Sequence, residues 1–234
     1  MTKGEDYWNQ IFSFKKASNP LFNEFISETE LPFLKEQLPR LRMGKLLDLG
    51  FGNGRNTLFL AKNNFQVTAI DNSEVAINSL KNKIQSLSIP MEVKKADIEL
   101  HILGLLQYDT IIMTYYKPPV SRVFDEIIRS LKHGGTLLIE SFLNDEINEI
   151  LGPEESYKNI FFKPNEVLKN LGSLRLLYYN EGLIDGKQRV QCLAQKPLDK
   201  DIEKYNLFNM SQSKESPKNA QMNLAEALFK KKED

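Results

Sequence analysis

Short apolar runs alternate with amphipathic segments through the middle of the chain. Patterns typical of strands occupy residues 45–49, 66–70, 91–95, 109–114 and 135–142. Helical patterns occupy about 54–63, 73–87 and 119–132, with a further short segment near 99–106. Strands that alternate with helices favour right-handed crossovers and a mostly parallel sheet covered on both faces. The pattern therefore predicts an α/β fold with a doubly wound sheet.

The end of this region has a different pattern. A helix-like segment at 164–171 is followed by SLRLLYYNEG and RVQCLAQK, which flank the short connection LIDGK. Asp185-Gly186 within that connection is a strong signal for a tight β-hairpin. We therefore expect a mostly parallel sheet of about seven strands that is closed by an antiparallel hairpin.

The beginning of the chain is interpreted as a separate helical lead-in. Phe22, Phe25 and Ile26 are at helical spacing, and a second short helical pattern bounded by prolines follows them. We assign residues 1–44 to this lead-in and residues 45–198 to the main domain.

The residues after the main domain, 199–234, are polar and rich in lysine. This C-terminal tail is either solvated or contains a short partner-binding helix. The apolar face of that helix would consist of Met222, Ala225, Leu228 and Phe229.

Composition excludes several function classes. The 31 lysines and arginines balance the 31 aspartates and glutamates, so no global field favours nucleic acid or an anionic membrane. No apolar run approaches the roughly 20 residues that span a bilayer. The first ten residues carry acids and Trp8 where a secretory signal would be apolar. The lone cysteine, Cys192, suits a reducing compartment and is predicted to be a buried structural thiol. We therefore predict a cytoplasmic protein.

The stretch LLDLGFGNGRN at 46–56 carries the clearest chemistry. Gly50, Gly52 and Gly54 leave a predicted strand and enter a predicted helix, whose start supplies free N–H groups. Glycines at such a turn adopt unusual backbone angles and let a ligand approach the main chain. A dinucleotide fingerprint, G-x-G-x-x-G, would place its third glycine where Arg55 stands. The pyrophosphate interpretation is therefore disfavoured.

Acidic residues stand at three successive strand ends. Asp48 lies in the first strand, Asp71 ends the second, and Asp97 follows the third. A carboxylate at the second position accepts hydrogen bonds from both ribose hydroxyls of an adenosine, although capping of the next helix is the alternative. Asp97 would accept from the adenine amino group, or is an ordinary loop acid. Together these acids predict a pocket for an adenosine-containing cofactor.

With these motifs, the segment 45–197 resembles the class I S-adenosylmethionine-dependent methyltransferases. The matching pieces are LLDLGFGNGRN, VTAID, ADI, YDTIIMTYY, LKHGGTLLIESF and the hairpin at Asp185-Gly186. The GRN after the glycine loop and the WNQIFS of the lead-in resemble the small tellurite-resistance and thiopurine-type methyltransferases. The resemblance implies a Rossmann-like fold, S-adenosylmethionine as cofactor, a lead-in that forms a lid, and methyl transfer as the activity.

The resemblance also implies a set of cofactor-binding residues. These are Asp48, Gly50, Gly52, Gly54, Arg55, Asn56, Asp71, Asn72, Asp97, Ile98, Thr114 and Tyr115. In the family pattern the first two glycines approach the methionine part, Asp48 orients the loop, and Asp71 holds the ribose. The backbone of Ile98 helps Asp97 to hold adenine, and Thr114 and Tyr115 line the wall beside the transferable methyl group.

The lead-in departs from the family pattern at one position. Relatives commonly carry arginine where Ile11 stands, and that arginine would neutralise the methionine carboxylate. Arg55 or Lys15 is the expected substitute.

The methyl acceptor is predicted to be a small molecule, with no nucleic acid, membrane or metal involved. Sulfur or another soft nucleophile is favoured, because a thiol is partly ionised near neutral pH and needs no protein base. His101 and His133 are expected at the surface or in a turn. No catalytic residue is assigned from the sequence, and nothing in it indicates an oligomeric state.

Three residues near predicted strand ends have two interpretations each. Tyr115, Tyr116 and Glu140 would either contact the acceptor or simply close their strands. At the level of the whole protein, the alternatives are a non-catalytic S-adenosylmethionine-binding sensor or partner-binding protein and, less favoured, a nicotinamide-dependent oxidoreductase.

Overall fold

One mixed β-sheet organises the part of the chain that the computed structural model describes, residues 3–13, 21–144 and 161–200. Its strands are β1 Lys45–Leu49, β2 Gln66–Asp71, β3 Glu92–Lys95, β4 Tyr108–Thr114, β5 Leu131–Phe142, β6 Arg175–Ile184 and β7 Lys187–Gln195. Their spatial order is β3-β2-β1-β4-β5-β7-β6. Neighbouring strands pair in parallel except for β7, which is antiparallel to both β5 and β6. The predicted Rossmann-like sheet with its antiparallel closing hairpin is thus confirmed.

Helices connect the strands and precede the sheet. They are α1 Lys3–Ser13, α2 Phe22–Ile26, α3 Pro32–Gln37, α4 Arg55–Lys62, α5 Glu74–Leu87, α6 Ser121–Ser130 and α7 Glu166–Asn170, with a 3₁₀ turn at Leu38–Arg40. No helix among the described residues has the length and apolarity that crossing a bilayer requires. The chain divides into a compact unit of residues 1–197, which holds the sheet, and a unit of residues 198–234. The predicted tail helix lies outside the described residues.

The predicted short helix near 99–106 is wrong. A single turn, closed by the bond from Leu100 N to Asp97 O at 3.1 Å, gives way to irregular chain. Leu103 is buried there, whereas Leu100 and Ile102 are each 80% exposed, so the apolar residues do not share one helical face. Gly104 has a φ of +76°, which a right-handed helix does not accommodate.

Both faces of the central strands are buried. On one face Leu47, Ile111 and Leu137 belong to a cluster with Phe124 and Ile127 of α6. On the other face the alternate residues pack with the lead-in and α4, in a cluster that contains Leu46, Ile112, Leu138, Phe33, Leu34 and Leu60. Alternate burial on two faces explains why the strands are continuously apolar in sequence. The lead-in is therefore part of the core of this unit.

The closing hairpin brings β7 to the edge of the sheet where β5 ends. Asp185 and Gly186 have φ values of +50° and +73°, as a tight turn between antiparallel strands requires. The register pairs Phe142 with Arg189, so the first residues of β7 lie beside the last residues of β5. This is the edge at which parallel strands β1, β2 and β4 also end.

Cys192 lies in the middle of β7 and is completely buried. Burial raises the pKa of its thiol to about 12. The residue is the structural thiol that its apolar neighbours predict, since a nucleophilic cysteine requires an accessible thiolate.

Candidate active site

A cavity of about 630 Å³ lies at the carboxyl edge of the sheet. This volume is in the range of pockets that hold small molecules. Its wall consists of Trp8, Phe12, Glu24, Phe25, Gly50, Phe51, Gly52, Asn53, Arg55, Asn56, Asp71, Asn72, Asp97, Ile98, Glu99, Thr114, Tyr115, Tyr116, Lys117 and Pro119. Strand ends and the loops after them form one side, and α1 and α2 of the lead-in form the other. Among the predicted binding residues, all but Asp48 and Gly54 are on this wall.

The glycine loop has no room for side chains where it meets the cavity. Gly50 has a φ of +69°, and a Cβ added there would lie 2.9 Å from the Cβ of Tyr116. Gly52 has a φ of +59°, and its added Cβ would lie 3.1 Å from the ring of Phe12. Gly50 and Gly52 carry no Cβ and both line the cavity. The main chain of the loop is therefore accessible to a ligand there. Gly54 is instead the N-cap residue of α4, and a Cβ added there would lie 2.7 Å from the side chain of Leu80.

Asp71 fastens the glycine loop to the start of α5. Its Oδ2 accepts from the N–H of Gly52 and its Oδ1 from the N–H of Ser73, both at 2.9 Å. Burial raises the pKa of Asp71 to about 6 despite these bonds. Helix α5 is capped by Ser73, whose hydroxyl accepts from the N–H of Ala76 at 3.2 Å, so Asp71 is not the capping residue that the alternative interpretation suggested. Each carboxylate oxygen has two lone pairs, so capacity for ligand hydroxyls is retained.

The next wall segment follows β3. Asp97 accepts from the N–H of Glu99 at 3.0 Å through Oδ1, and Ile98 is buried beside it. Asn72 and Glu99 complete this acidic end of the cavity. Carboxylates grouped at the ends of β2 and β3 are suited to a ligand that presents several hydrogen-bond donors.

Asp48 lies beneath the loop instead of on the wall. It is 0% exposed, and its Oδ2 accepts from the hydroxyl of Thr57 at 2.6 Å. Its Oδ1 has no hydrogen-bond partner among the described residues. Burial raises the pKa of Asp48 to about 7, and the charge of Asp71 adds to the effect. Asp48 thus connects β1 to α4, consistent with a role in orienting the loop.

Two consecutive residues of α4 connect the loop to the lead-in. Asn56 accepts from the N–H of Leu31 at 3.0 Å and donates to the hydroxyl of Thr114 at 3.1 Å. Arg55 donates to the carbonyl of Thr29 at 3.0 Å, and its guanidinium lies 5.8 Å from the ring centroid of Tyr115. Arg55 is on the wall, whereas Lys15, the other expected partner of a ligand carboxylate, lies outside the described residues.

Tyr115 occupies a left-handed conformation, φ +55°, directly after β4. Its hydroxyl accepts from Arg189 and donates to Glu140 at 3.3 Å, while its ring stacks on Phe142 with centroids 4.8 Å apart. Burial and the charge of Glu140 raise the pKa of Tyr115 well above its usual value. This tyrosine cannot act as a base near neutral pH.

Tyr116 and Lys117 lie beside Tyr115 on the wall. The hydroxyl of Tyr116 is buried and has no hydrogen-bond partner among the described residues. Lys117 is fixed by Glu166 and by the carbonyl of Phe161, each at 2.9 Å. The ammonium of Lys117 is therefore already paired.

An ionic cluster, composed of the buried residues Glu140 and Arg189 and the partly buried residues Glu24 and Lys187, backs the wall at Tyr115. Arg189 is 2.8 Å from Glu140 and 3.0 Å from Glu24, and Lys187 is 2.9 Å from Glu24. Gln191 also donates to Glu140 at 3.1 Å. Burial raises the pKa of Glu140, although Arg189 opposes this effect. Of the four, only Glu24 is on the described cavity wall, so Glu140 is held behind Tyr115.

Polar contacts to the start of α5 and to the end of β3 hold helix α1 over the cavity. The Oδ1 of Asn9 accepts from the hydroxyl of Ser73 at 2.8 Å and from the N–H of Val75 at 3.2 Å. Lys95 adds an ion pair with Glu5 at 2.8 Å. These contacts place two rings of α1, Trp8 and Phe12, on the cavity wall.

Several residues on the wall, and Arg189 behind it, escaped the sequence-based prediction. Glu24 and the three aromatic residues of the lead-in were missed as site residues, although helical spacing around Phe25 had indicated the helix that carries two of them. Arg189 was missed because nothing local distinguishes it from other strand residues. The two histidines considered in the sequence, His101 and His133, are not on the described wall. No cluster of three or more potential metal ligands occurs among the described residues.

The chain is similar to several known proteins. Residues 46–135 match a family model described as a methyltransferase domain. The chain is 25% identical over 190 residues to a ubiquinone biosynthesis O-methyltransferase of Coxiella burnetii, an alignment that covers 74% of this chain and 78% of that protein. It is 28% identical over 157 residues to a carboxy-S-adenosyl-L-methionine synthase of Nautilia profundicola, with 60% and 67% covered.

A solved structure supports the same fold. TehB from Haemophilus influenzae is similar with a TM-score of 0.59 and 22% sequence identity. The match covers 82% of this chain and 66% of that chain, so it includes more than the central strands. At this identity the likeness concerns the fold alone.

Proposed function

We propose that this chain, whose segment 46–135 belongs to the methyltransferase-domain family, is an enzyme that methylates a small-molecule acceptor. Its fold is that of the class I methyltransferases, and S-adenosylmethionine is the cofactor that the family implies. One observation carries the proposal. The cavity combines the open glycine loop and the acidic strand ends on one side with an aromatic lead-in on the other.

The residues present fit this cofactor. The positions of Gly50 and Gly52 exclude side chains, which leaves the loop backbone accessible. Asp71 and Asp97 retain hydrogen-bond acceptor capacity for hydroxyl and amino groups.

Each part of the wall would hold a different part of the cofactor. The amino-acid end would lie against the glycine loop, with Arg55 as partner of its carboxylate. Asp71 and Asn72 would hold the ribose, and Asp97 and Ile98 the adenine. Thr114 and Tyr115 would line the region of the methyl group.

When bound, S-adenosylmethionine supplies a methyl group that is already activated by its sulfonium. The protein therefore has to position the acceptor and keep water away. The rings of Trp8, Phe12 and Phe25, which α1 and α2 bring over the cavity, are suited to exclude water. Asn9 fixes α1 in this position through Ser73 and Val75.

The nature of the acceptor is a separate part of the proposal. Sulfur or another soft nucleophile is the prediction from the sequence, where no base was identified. The cavity wall adds Glu24 to the candidates that can contact an acceptor. A sensor that binds S-adenosylmethionine without methyl transfer would need the same cofactor-binding residues as an enzyme. The two functions are therefore distinguished by whether methyl transfer is measured.

Calorimetric titration of the full chain with S-adenosylmethionine, S-adenosylhomocysteine and NAD tests the proposal. We expect the first two to bind and NAD to give no response. Methyl transfer is then measured over a panel of thiols, phenols and amines. Binding of NAD alone would contradict the proposal, and binding of S-adenosylhomocysteine without transfer to any member of the panel would favour the sensor.

A further inference from the structure

The acceptor end of the cavity is identified by strand order. Asp97 and Asp71 follow β3 and β2, on one side of the glycine loop of β1. Tyr115 follows β4, on the other side of that loop, and it contacts Phe25 of the lead-in with ring centroids 5.5 Å apart. If the proposed function holds, the cofactor takes the acidic end, and the region at Tyr115 remains for the acceptor.

Glu24 is the carboxylate of this region. It projects from α2, lies on the cavity wall, and is 3.5 Å from the hydroxyl of Tyr115 through its Oε2. The acids of the described wall other than Glu24 are Asp71, Asp97 and Glu99, which belong to the acidic end. A hydrogen-bonding group of an acceptor placed beside Tyr115 therefore meets Glu24.

The two oxygens of Glu24 have different surroundings. Oε1 accepts from Lys187 at 2.9 Å and from Arg189 at 3.0 Å. Oε2 has only the 3.5 Å contact with Tyr115 among the described residues, which is too long for a strong O–H···O bond. Oε2 thus keeps acceptor capacity, while the bonds to Oε1 fix the orientation of the carboxylate.

The cations around Glu24 keep it ionised. Burial alone would raise its pKa, but Lys187 and Arg189 outweigh this effect, and the pKa lies below the usual value. An ionised carboxylate accepts hydrogen bonds and donates none. A thiolate has no hydrogen to donate to it, whereas a neutral hydroxyl or amino group does. Because Lys187 and Arg189 already balance its charge together with Glu140, a cationic acceptor has no comparable advantage.

The remaining surface of this region is aromatic. Trp8 and Phe25 meet edge to face with ring centroids 5.7 Å apart, and both line the cavity. Aromatic rings pack favourably against a flat apolar body. The complementary ligand has such a body together with one hydrogen-bond donor.

We propose that Glu24 is an acceptor-binding residue, and that the acceptor is an aromatic compound whose hydroxyl or amino group donates a hydrogen bond to Oε2. This inference rests on the proposed function and names the acceptor class of the same site. The methylated atom would then be oxygen or nitrogen instead of sulfur: the methyl group would leave the sulfonium, S-adenosylhomocysteine would be the leaving group, and the proton that the acceptor loses would be released to solvent. The contribution of Glu24 is to orient the donor group beside Tyr115.

The probes for the test are phenol, its methyl ether anisole, and thiophenol. Binding to the full chain is measured in the presence of S-adenosylhomocysteine by ligand-observed NMR, with the fluorescence of Trp8, the single tryptophan, as second readout. Phenol is expected to bind about tenfold more tightly than anisole, the scale of one hydrogen bond to a charged group. Thiophenol, which ionises, is expected to bind more weakly than phenol.

Glu24→Gln is the diagnostic variant. Its amide carbonyl would stay with Lys187 and Arg189, so the amide NH₂ would replace Oε2 and present a donor. The preference for phenol over anisole should therefore disappear. Glu24→Asp retains the charge but moves the carboxylate away from the acceptor, so this variant should show a smaller preference for phenol over anisole. Glu36→Gln, at an exposed position of α3, is the matched control and should keep the wild-type preference.

The outcomes separate this inference from the proposed function. S-adenosylhomocysteine binding is measured first for every variant, which also reports on folding. Absence of that binding in the wild type would contradict the proposed function. Normal cofactor binding with equal affinity for phenol and anisole, or a preference that Glu24→Gln leaves unchanged, would overturn the assignment of Glu24 alone.

Discussion

Arg189 and Glu140 form a buried ion pair with 2.8 Å between Nη1 and Oε1, behind the ring of Tyr115. Glu140 is 1% exposed and Arg189 is 4% exposed. A charge in such surroundings is tolerated only while its partner is present. The pair therefore supports the wall of the cavity from behind.

Replacement of Arg189 by methionine should be strongly destabilising. The carboxylate of Glu140 would remain buried without its cation, and removal of one partner of such a pair costs about 3–5 kcal/mol. Urea denaturation measures the free energy of unfolding. The double variant Arg189→Met, Glu140→Gln should recover part of the loss, and a double variant less stable than the single one would contradict this account.

Asp71→Ala should weaken the binding of S-adenosylhomocysteine. The ribose hydroxyls would lose their acceptor, and the N–H groups of Gly52 and Ser73 would lose the bonds that fix the loop. The expected loss is about 1–3 kcal/mol, the scale for unpaired buried polar groups. Isothermal calorimetry measures it, and an unchanged affinity would exclude Asp71 from the cofactor site.

Arg55→Met should distinguish cofactor analogues by their carboxylate. S-adenosylhomocysteine carries the amino-acid carboxylate, whereas 5′-methylthioadenosine lacks it. The variant should bind S-adenosylhomocysteine about tenfold more weakly, as expected for loss of a charge-assisted hydrogen bond, and 5′-methylthioadenosine with unchanged affinity. Equal losses for both ligands would indicate that Arg55 acts only through the lead-in, where it bonds Thr29.

Asp48 should make folding stability depend on pH in an unusual direction. Its pKa is raised from 3.8 to about 7, so between these values the folded state retains a proton that the unfolded state has lost. The contribution of Asp48 to stability should therefore fall as pH rises from about 4 to 7, by at most about 4 kcal/mol, and then level off. Asp71, with its pKa raised to about 6, contributes in the same direction.

Asp48→Asn tests this assignment, because it removes the titrating group and retains an acceptor for Thr57. Urea denaturation at a series of pH values should show that the free energy of unfolding of the wild type, relative to that of this variant, falls as pH rises from about 4 to 7. Identical profiles would show that Asp48 does not titrate in this range.

Asn9→Ala should loosen α1 from the start of α5. The hydroxyl of Ser73 and the N–H of Val75 would lose their shared acceptor, which corresponds to about 0.5–2 kcal/mol for a helix-capping contact. The emission of Trp8 should shift to longer wavelength as its ring meets water. Gln10→Ala, one residue along on the exposed side, is the control and should leave the emission unchanged.

The sequence predicted the parts of the site that depend on local patterns. The glycine loop, Asp71 and Asp97 could be placed because each follows a strand, and the carboxyl ends of parallel strands meet at one edge. The hairpin at Asp185-Gly186 was predictable from two residues that favour positive φ. Such features are encoded within a few positions of the chain.

The ionic cluster could not be predicted in this way. Glu24 and Arg189 are 165 positions apart, and their contact depends on the register of β7 against β5 and on the docking of α2. A glutamate and an arginine in amphipathic segments are usually exposed. In the segment 99–106 the local pattern was misleading, because its apolar residues suggested a helix that is not formed. Gly104 has a positive φ, and the buried and exposed apolar residues of the segment do not separate into two helical faces.

The late position of β7 in the chain has a consequence for biosynthesis. Glu24 and Glu140 are translated well before Lys187 and Arg189, the cations that neutralise them. A nascent chain that has reached only the end of β5 therefore has two carboxylates for which the buried site offers no counter-charge. The wall at Tyr115 can therefore acquire its counter-charges only after β7 has left the ribosome.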